Sequence, residues 1–131
     1  MAYPSLITHE LTLLGVADPG KPNLERIVLR PTQPINVSGF GLTVGLPNPQ
    51  AGAYPLFDNV FWFPDLAIAP PSWILVYTGK GQPQNSYLPN GEQALTLHWQ
   101  RPYTVFHDPR LVPVLFRAEG VIVGQQLRQT R

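Results

Sequence analysis

This chain has no cysteine, few charged residues and no long apolar run. The absence of cysteine excludes disulfide scaffolds, thiolate nucleophiles and cysteine-built zinc sites. Charged residues make up 13% of the chain, about half of the fraction of roughly 25% that is usual in globular proteins. No apolar stretch approaches the roughly 18 residues that a membrane-spanning helix requires, so we expect no membrane partner.

Basic and acidic residues are also nearly balanced in number. Nine lysines and arginines oppose eight acidic residues, which gives a formal net charge of +1. Nucleic-acid binding depends on neutralising many phosphates, so we expect no nucleic-acid partner. A secretory signal has a basic region followed by an apolar run. The N-terminal segment lacks this pattern. We therefore expect a cytoplasmic location.

The apolar content is high enough for one folded domain. Hydrophobic residues make up 44% and aromatic residues 11% of the 131 residues. A chain of this length buries roughly two-thirds of its unfolded surface when it folds. We predict a single domain over residues 1–124, followed by a polar C-terminal tail over residues 125–131.

Short β-type runs separated by proline and glycine predict an all-β fold. The sixteen prolines fall mostly between apolar runs, where a proline blocks helix propagation without removing a ladder hydrogen bond. Two segments rich in turn-forming residues, 45–55 and 79–92, are predicted to be long loops. Strands of this length and spacing build a β-sandwich or a small barrel. The predicted strands include Phe61–Phe63, Trp73–Tyr77, Leu95–Trp99, Val112–Phe116 and Val121–Val123.

Several further segments follow one another in a recognisable order. They are Ser38–Leu42, Phe63–Gly81, Leu97–Trp99, Phe106–Asp108, Val114–Gly120 and Val121–Val123. This order resembles the lamin-tail-domain family in its bacterial form, and the resemblance covers Ile7 to Val123. It implies an immunoglobulin-like antiparallel β-sandwich with a structural or interaction role. It does not imply a reaction, since one fold hosts many functions. The chain departs from the family at His107–Arg110, where the family usually places a Gly-Asp pair.

The histidines and carboxylates do not form a recognisable catalytic or metal-binding pattern. His107 and Asp108 are adjacent, so in a strand they would point to opposite faces and could not act on each other. We predict that Asp108 instead accepts backbone hydrogen bonds in a turn beside Pro109. The other two histidines, His9 and His98, lack the short spacing that identifies a metal site. We therefore expect no catalytic residue, no metal and no cofactor.

A glycine- and lysine-containing turn follows one of the predicted strands. The segment Thr78–Gly81 superficially suggests phosphate binding, but it lacks the spacing of a phosphate-binding P-loop and no helix follows it. We predict a hairpin-type turn there.

The aromatic residues around 54–62 are the best candidates for a functional surface. Alternate residues of a strand face opposite sides, so Trp62 cannot share a face with Phe61 and Phe63. If one face packs in the core, the other exposes aromatic surface of the kind found at interfaces. The candidate interaction surface is therefore Tyr54, Phe57, Phe61 and Trp62.

Three functions are compatible with the sequence. We favour a non-enzymatic structural or protein-interaction module whose partner is another protein or a second copy in a homodimer, since exposed edge strands invite pairing. The first alternative is a carbohydrate-binding module, and the second is a small hydrolase that uses His107 and Asp108. The carbohydrate-binding module would use Trp62, Trp73 or Tyr77 for stacking, and Gln82, Gln84 or Asn85 for hydrogen bonds.

Overall fold

Ten β-strands form the regular structure of the residues that the structure describes. A computed structural model describes residues 10–48, 52–120 and 122–127, of which 48 and 52–59 are described by their backbone alone. The predicted all-β class is confirmed, and these residues contain no helix. The strands are β1 (Leu11–Ala17), β2 (Arg26–Pro31), β3 (Ile35–Asn36), β4 (Phe40–Asn48), β5 (Gly52–Trp62), β6 (Ala67–Ile68), β7 (Ser72–Tyr77), β8 (Gln84–Tyr87), β9 (Gln93–His98) and β10 (Val112–Arg117).

Five strands form a mixed sheet in the order β1-β2-β7-β9-β8. The pairs β1-β2, β2-β7 and β8-β9 are antiparallel. β7 and β9 run parallel, with Ile74 opposite Leu95. The prediction of a purely antiparallel sandwich is therefore wrong at this pair. The reason is topological, because the chain reverses once to form β8 at the sheet edge and again to form β9.

Three strands form a second, antiparallel sheet in the order β10-β4-β5. β4 is its central strand and pairs with β10 from Phe40 to Gly45. β4 and β5 form a long hairpin whose register shifts between Leu42 and Val44. A short ribbon of β3 and β6 pairs Ile35 with Ile68.

One apolar core joins the two larger sheets. In β7 the side chains alternate strictly, so that Ile74 and Val76 are fully buried while Trp73, Leu75 and Tyr77 are half-buried on the outer face. This period of two is what a strand with one buried face requires. Each fully buried branched side chain contributes roughly 1.5–3 kcal/mol. The buried core consists of Leu11, Ile27, Leu29, Val37, Phe40, Leu42, Phe63, Ile68, Ile74, Val76, Leu95, Leu97, Trp99 and Phe106.

The predicted loop over 45–55 is wrong, because most of it is β-hairpin. β4 continues to Asn48 and β5 begins at Gly52, with Pro47 opposite Ala53 and Pro55 opposite Gly45. A proline removes one ladder donor and is tolerated where a strand has a neighbour on one side only. Pro55 lies on the outer strand of the sheet, and Pro47 lies beyond the part of β4 that pairs with β10.

Two other sequence expectations also fail. The predicted loop over 79–92 contains β8, a strand of four exposed residues at a sheet edge, which has no apolar alternation that would reveal it. The predicted strand Val121–Val123 is not observed at Ile122 and Val123, which are 98% and 86% exposed. Val121 itself lies outside the described residues. A short apolar run forms a strand only where a neighbouring strand accepts its hydrogen bonds.

A buried carboxylate connects the loops at one end of the five-stranded sheet. Glu25 is 1% exposed, and its two carboxylate oxygens accept four hydrogen bonds. The Oε1 atom accepts from Thr78 Oγ1 at 2.7 Å and from the Val105 amide at 2.6 Å. The Oε2 atom accepts from the Gly20 amide at 2.7 Å and from the Phe106 amide at 2.9 Å. A buried charge is tolerated when it is hydrogen-bonded in this way.

We expect Glu25→Gln to destabilise the fold by about 2–4 kcal/mol, since a buried donor left unpaired costs roughly 1–3 kcal/mol. In either orientation of the glutamine side chain, its NH₂ group would face at least one backbone N–H donor, from Val105 or from Gly20 and Phe106. The free energy of unfolding in urea measures the effect. Glu119→Gln is the control, because Glu119 is 85% exposed. Equal stability of the two variants would contradict the role assigned to Glu25.

Candidate interaction surface

At the end of β5, the aromatic residues 61–63 alternate between the inner and the outer face of the sheet. Phe61 is half-buried and Phe63 is 5% exposed, and their rings meet edge to face with centroids 5.2 Å apart. Phe61 also contacts the buried Trp99, at a centroid distance of 6.1 Å. Trp62 points the other way and is 54% exposed. The predicted alternation at these three residues is confirmed.

The Trp62 ring rests on a neighbouring aromatic residue across a glycine. Gly41 of β4 lies opposite Trp62 of β5 and opposite Phe116 of β10. A Cβ atom at Gly41 would overlap the Phe116 ring. Because the glycine has no side chain, Phe116 crosses β4 and meets Trp62 edge to face, at a centroid distance of 5.3 Å. The outer face of this sheet thus carries an aromatic pair.

Trp62 ends an eleven-residue strand at the edge of its sheet. Within the described residues, β5 pairs with β4 and with no other strand. Val60, two residues before Trp62, is 37% exposed. The register of the β4-β5 pair shifts between Leu42 and Val44, because Leu42 lies opposite Phe61 whereas Val44 lies opposite Leu56.

Two residues of the sequence-predicted surface are only partly located. Tyr54 pairs with Leu46 through its backbone, and Phe57 belongs to the same strand. Their side chains lie outside the described residues. The structure therefore separates Phe61, which contributes to the core, from Trp62, which contributes to the surface.

The outer face of the five-stranded sheet carries arginine–aromatic pairs that the sequence reasoning missed. The Arg30 guanidinium lies 4.0 Å from the centroid of the Trp73 ring. The Arg26 guanidinium lies 5.7 Å from the centroid of the Tyr77 ring. The Tyr77 ring also stacks on the His98 ring, with their centroids 5.5 Å apart. Cross-strand register would have suggested these pairs, but it is known only once strand order is fixed. Neither Trp73 nor Tyr77 is left as an isolated open ring.

Glu92 completes the cluster around Trp73. Its carboxylate accepts hydrogen bonds from Trp73 Nε1 at 3.1 Å and from Asn90 Nδ2 at 3.0 Å, and it pairs with Arg30 at 3.0 Å. The Trp73 hydrogen bond is the main reason that the pKa of Glu92 is lowered, with Asn90 and Arg30 adding to it. The polar groups of this cluster are therefore engaged with one another.

The other residues of the carbohydrate-binding hypothesis lie at the β8 edge. Gln82 and Gln84 are exposed. Asn85 is exposed and accepts a hydrogen bond from Gln93 Nε2 at 2.8 Å. Gln82 lies between β7 and β8, whereas Gln84 and Asn85 lie in β8, which belongs to a different sheet from Trp62.

The His107–Asp108 pair forms a turn. The Asp108 carboxylate accepts the Arg110 amide at 2.9 Å and the Arg110 guanidinium at 2.7 Å. His107 is exposed, and its Nδ1 lies 3.2 Å from the Thr104 carbonyl oxygen. The predicted backbone-accepting role of Asp108 is confirmed. These contacts do not orient the two side chains as an acid–base pair.

The described residues contain no group of three or more histidine and acidic side chains that could hold a metal ion. His9 lies outside the described residues. His98 is half-buried beneath Gly81, and its Nδ1 atom has no hydrogen-bond partner in the described part of the chain. In the same residues, no helix is long and apolar enough to cross a membrane.

Comparison of the chain with protein-family models, curated proteins and solved structures found no match.

We expect Gly41→Ala to separate Phe116 from Trp62, because the new methyl group occupies the path of the Phe116 ring. Loss of an aromatic pair costs roughly 0.5–1.5 kcal/mol. Near-ultraviolet circular dichroism reports the tryptophan environment, and chemical denaturation gives the stability. In a double-mutant cycle, Phe116→Ala should cancel part of the cost of Gly41→Ala.

The control for this cycle is Gly120→Ala, because a Cβ atom there meets nothing within 4 Å. An unchanged tryptophan spectrum in Gly41→Ala, or strict additivity with Phe116→Ala, would contradict the proposed contact.

The carboxyl pKa of Asp108 tests the turn in solution. The Arg110 side-chain hydrogen bond, followed by the Arg110 amide, lowers this pKa to about 2. A depressed pKa contributes stability above the unfolded value of roughly 3.9, and the contribution is lost as the pH falls towards about 2. We expect Arg110→Gln to raise the pKa in a carboxyl NMR titration. A wild-type value near that of unfolded aspartate would contradict the pairing.

Proposed function

We propose that this chain is a non-enzymatic structural or protein-interaction module with a lamin-tail-like, immunoglobulin-like fold. The observation that carries the proposal is the edge strand β5, which ends in the 54% exposed Trp62. The order of motifs along the sequence supports the family, and the two sheets around one core agree with a sandwich.

An edge strand offers unpaired backbone donors and acceptors to another strand. Such edges are commonly covered, shortened or charged in proteins that remain monomeric. β5 has eleven residues, and its exposed end carries Val60 and Trp62 where a charge would prevent pairing. Strand addition, in which main-chain hydrogen bonds give affinity and side chains give specificity, is a common mode of protein recognition.

A second copy of the chain is the partner that we propose for β5. Two β5 strands related by a twofold axis would pair antiparallel and join two three-stranded sheets into one. Each copy would then contribute the same β5 edge, with Trp62, to a self-complementary interface. Tryptophan is enriched at the centres of interfaces because it buries a large area in one contact.

The two alternatives have less support. Sugar stacking requires an open aromatic face, whereas Arg30 covers Trp73, and Arg26 and His98 flank Tyr77. The hydrolase hypothesis requires His107 and Asp108 to act together, whereas Asp108 is engaged by Arg110. Trp62 is an exposed aromatic side chain at the end of an edge strand, where it can contact a protein surface.

Light scattering coupled to size-exclusion chromatography tests the proposal over a range of protein concentrations. We expect the wild-type chain to dimerise, and Trp62→Ser to weaken the dimer by about tenfold or more, as for an interface hot spot. Val60→Lys should act in the same direction, because a lysine on an edge strand opposes pairing.

Tyr87→Ser is the matched control, because Tyr87 is a 72% exposed aromatic residue on the edge strand of the other sheet. It should leave the dimer unchanged. All three variants should remain folded by far-ultraviolet circular dichroism, and Trp62→Ser should also lose the stability contributed by the Phe116 ring contact. A strict monomer at every concentration, or equal effects of Tyr87→Ser and Trp62→Ser, would overturn self-association through β5.

A further inference from the structure

A cleft of about 440 Å³ lies among three loops at one end of the five-stranded sheet. Residues 22–23 contribute from the β1-β2 connection, 78–80 from the turn after β7, and 101–104 from the loop after β9. The cleft has the volume of a small-molecule site, for which roughly 300–1,000 Å³ is usual. It is formed by loops, whereas the proposed interaction surface lies along β5.

The cleft contains both of the described cations that lack an acidic partner. Arg128 and Arg131 lie outside the described residues, which leaves seven of the nine lysines and arginines. Five of the seven form an ion pair within 4.0 Å. The other two are Lys80 and Arg101, and both line the cleft. Two positive charges in one concave site attract an anion.

The acidic residues on the neighbouring turn form no ion pair with these two cations in the described part of the chain. Glu25 is buried behind the cleft, and its oxygens accept four hydrogen bonds from Gly20, Thr78, Val105 and Phe106. Asp18 pairs with Arg26 at 2.8 Å and with Lys21 at 3.9 Å. The cleft itself is lined by no acidic side chain.

The backbone around the two cations is held in place before any ligand binds. The Arg101 amide donates to the Thr78 carbonyl oxygen at 2.8 Å. Gln100 Nε2 donates to the Gly81 carbonyl oxygen at 2.7 Å, and the Gly81 amide donates back to Gln100 Oε1 at 3.2 Å. A preorganised site does not have to order its loops during binding, which improves affinity.

An exposed ring forms another part of the lining. Tyr103 is 82% exposed, and it lies beside the lining residues Pro22 and Pro102. A tyrosine and two prolines offer flat apolar surface next to the two charges. Tyr103 can stack in an offset geometry on a planar ring of a ligand.

We propose that this cleft binds a small organic phosphate that carries a planar ring, with the phosphate at Lys80 and Arg101 and the ring against Tyr103. A phosphate monoester carries a charge of roughly −1.5 to −2 at pH 7, which matches two cations. The arginine fork can donate two parallel hydrogen bonds to its oxygens. The site is not a P-loop, because its positive charge comes from side chains of two separate loops.

NMR titration of the isotopically labelled chain tests the proposal, with phenyl phosphate, inorganic phosphate, benzoate and phenol as probes. We expect phenyl phosphate to bind tightest and to shift the amide signals of Gly79, Lys80 and Arg101. Lys80→Gln and Arg101→Gln should each weaken phenyl phosphate binding by about tenfold or more, since each removes a charge-assisted hydrogen bond. Tyr103→Ala should weaken it by about threefold to tenfold.

Arg117→Gln is the charge-matched control, because it removes one positive charge from β10 in the other sheet. It should leave the affinity for phenyl phosphate unchanged. Equal weakening by Arg117→Gln and Arg101→Gln would show a general charge effect and overturn the site. Absence of shifts around the cleft would also overturn it. Equal binding of inorganic phosphate and phenyl phosphate would overturn the part assigned to Tyr103.

Discussion

The Glu25 carboxylate is the interaction on which one end of this molecule depends. Its four hydrogen bonds fix the turn before β2, the end of β7 and the long loop after β9 relative to one another. Backbone amides in loops have no ladder partner, and burying them unpaired would be unfavourable. One buried acid supplies acceptors for three of them, together with the Thr78 hydroxyl. The hydrogen bonds to Glu25 therefore hold in place the loops that form the cation-lined cleft.

In the three-stranded sheet, the aromatic surface depends on a residue that has no side chain. Gly41 leaves room for Phe116 to reach Trp62 across β4. Core packing holds Phe61 and Phe63 on the inner face, and the strand period then forces Trp62 outwards. An apolar ring at the end of an edge strand is unfavourable in water unless something covers it. This constraint supports the proposal of a protein partner more strongly than the polar edge at β8 does.

Some cationic side chains of the described residues form ion pairs, and others do not. On the five-stranded sheet, Arg26 and Arg30 each combine an ion pair with an aromatic ring. Exposed ion pairs of this kind contribute little stability individually, but they remove free charge from that face. Lys80 and Arg101 are left without such partners in the described part of the chain. With only 13% charged residues, an unpaired couple in one cleft is a distinctive feature of this surface.

The sequence by itself determined the all-β class, most of the strand positions and the opposed faces of Phe61 and Trp62. These follow from local alternation and from the breaking effect of proline and glycine. Tertiary structure decided the parallel pairing of β7 with β9, the strands hidden in 45–55 and 79–92, and the burial of Glu25. Hydrogen-bond partners and strand order are long-range properties, so no local pattern encodes them. For the same reason, the sequence did not predict that Lys80 and Arg101 lie in one cleft. Their two loops come together only when β7 pairs with β9.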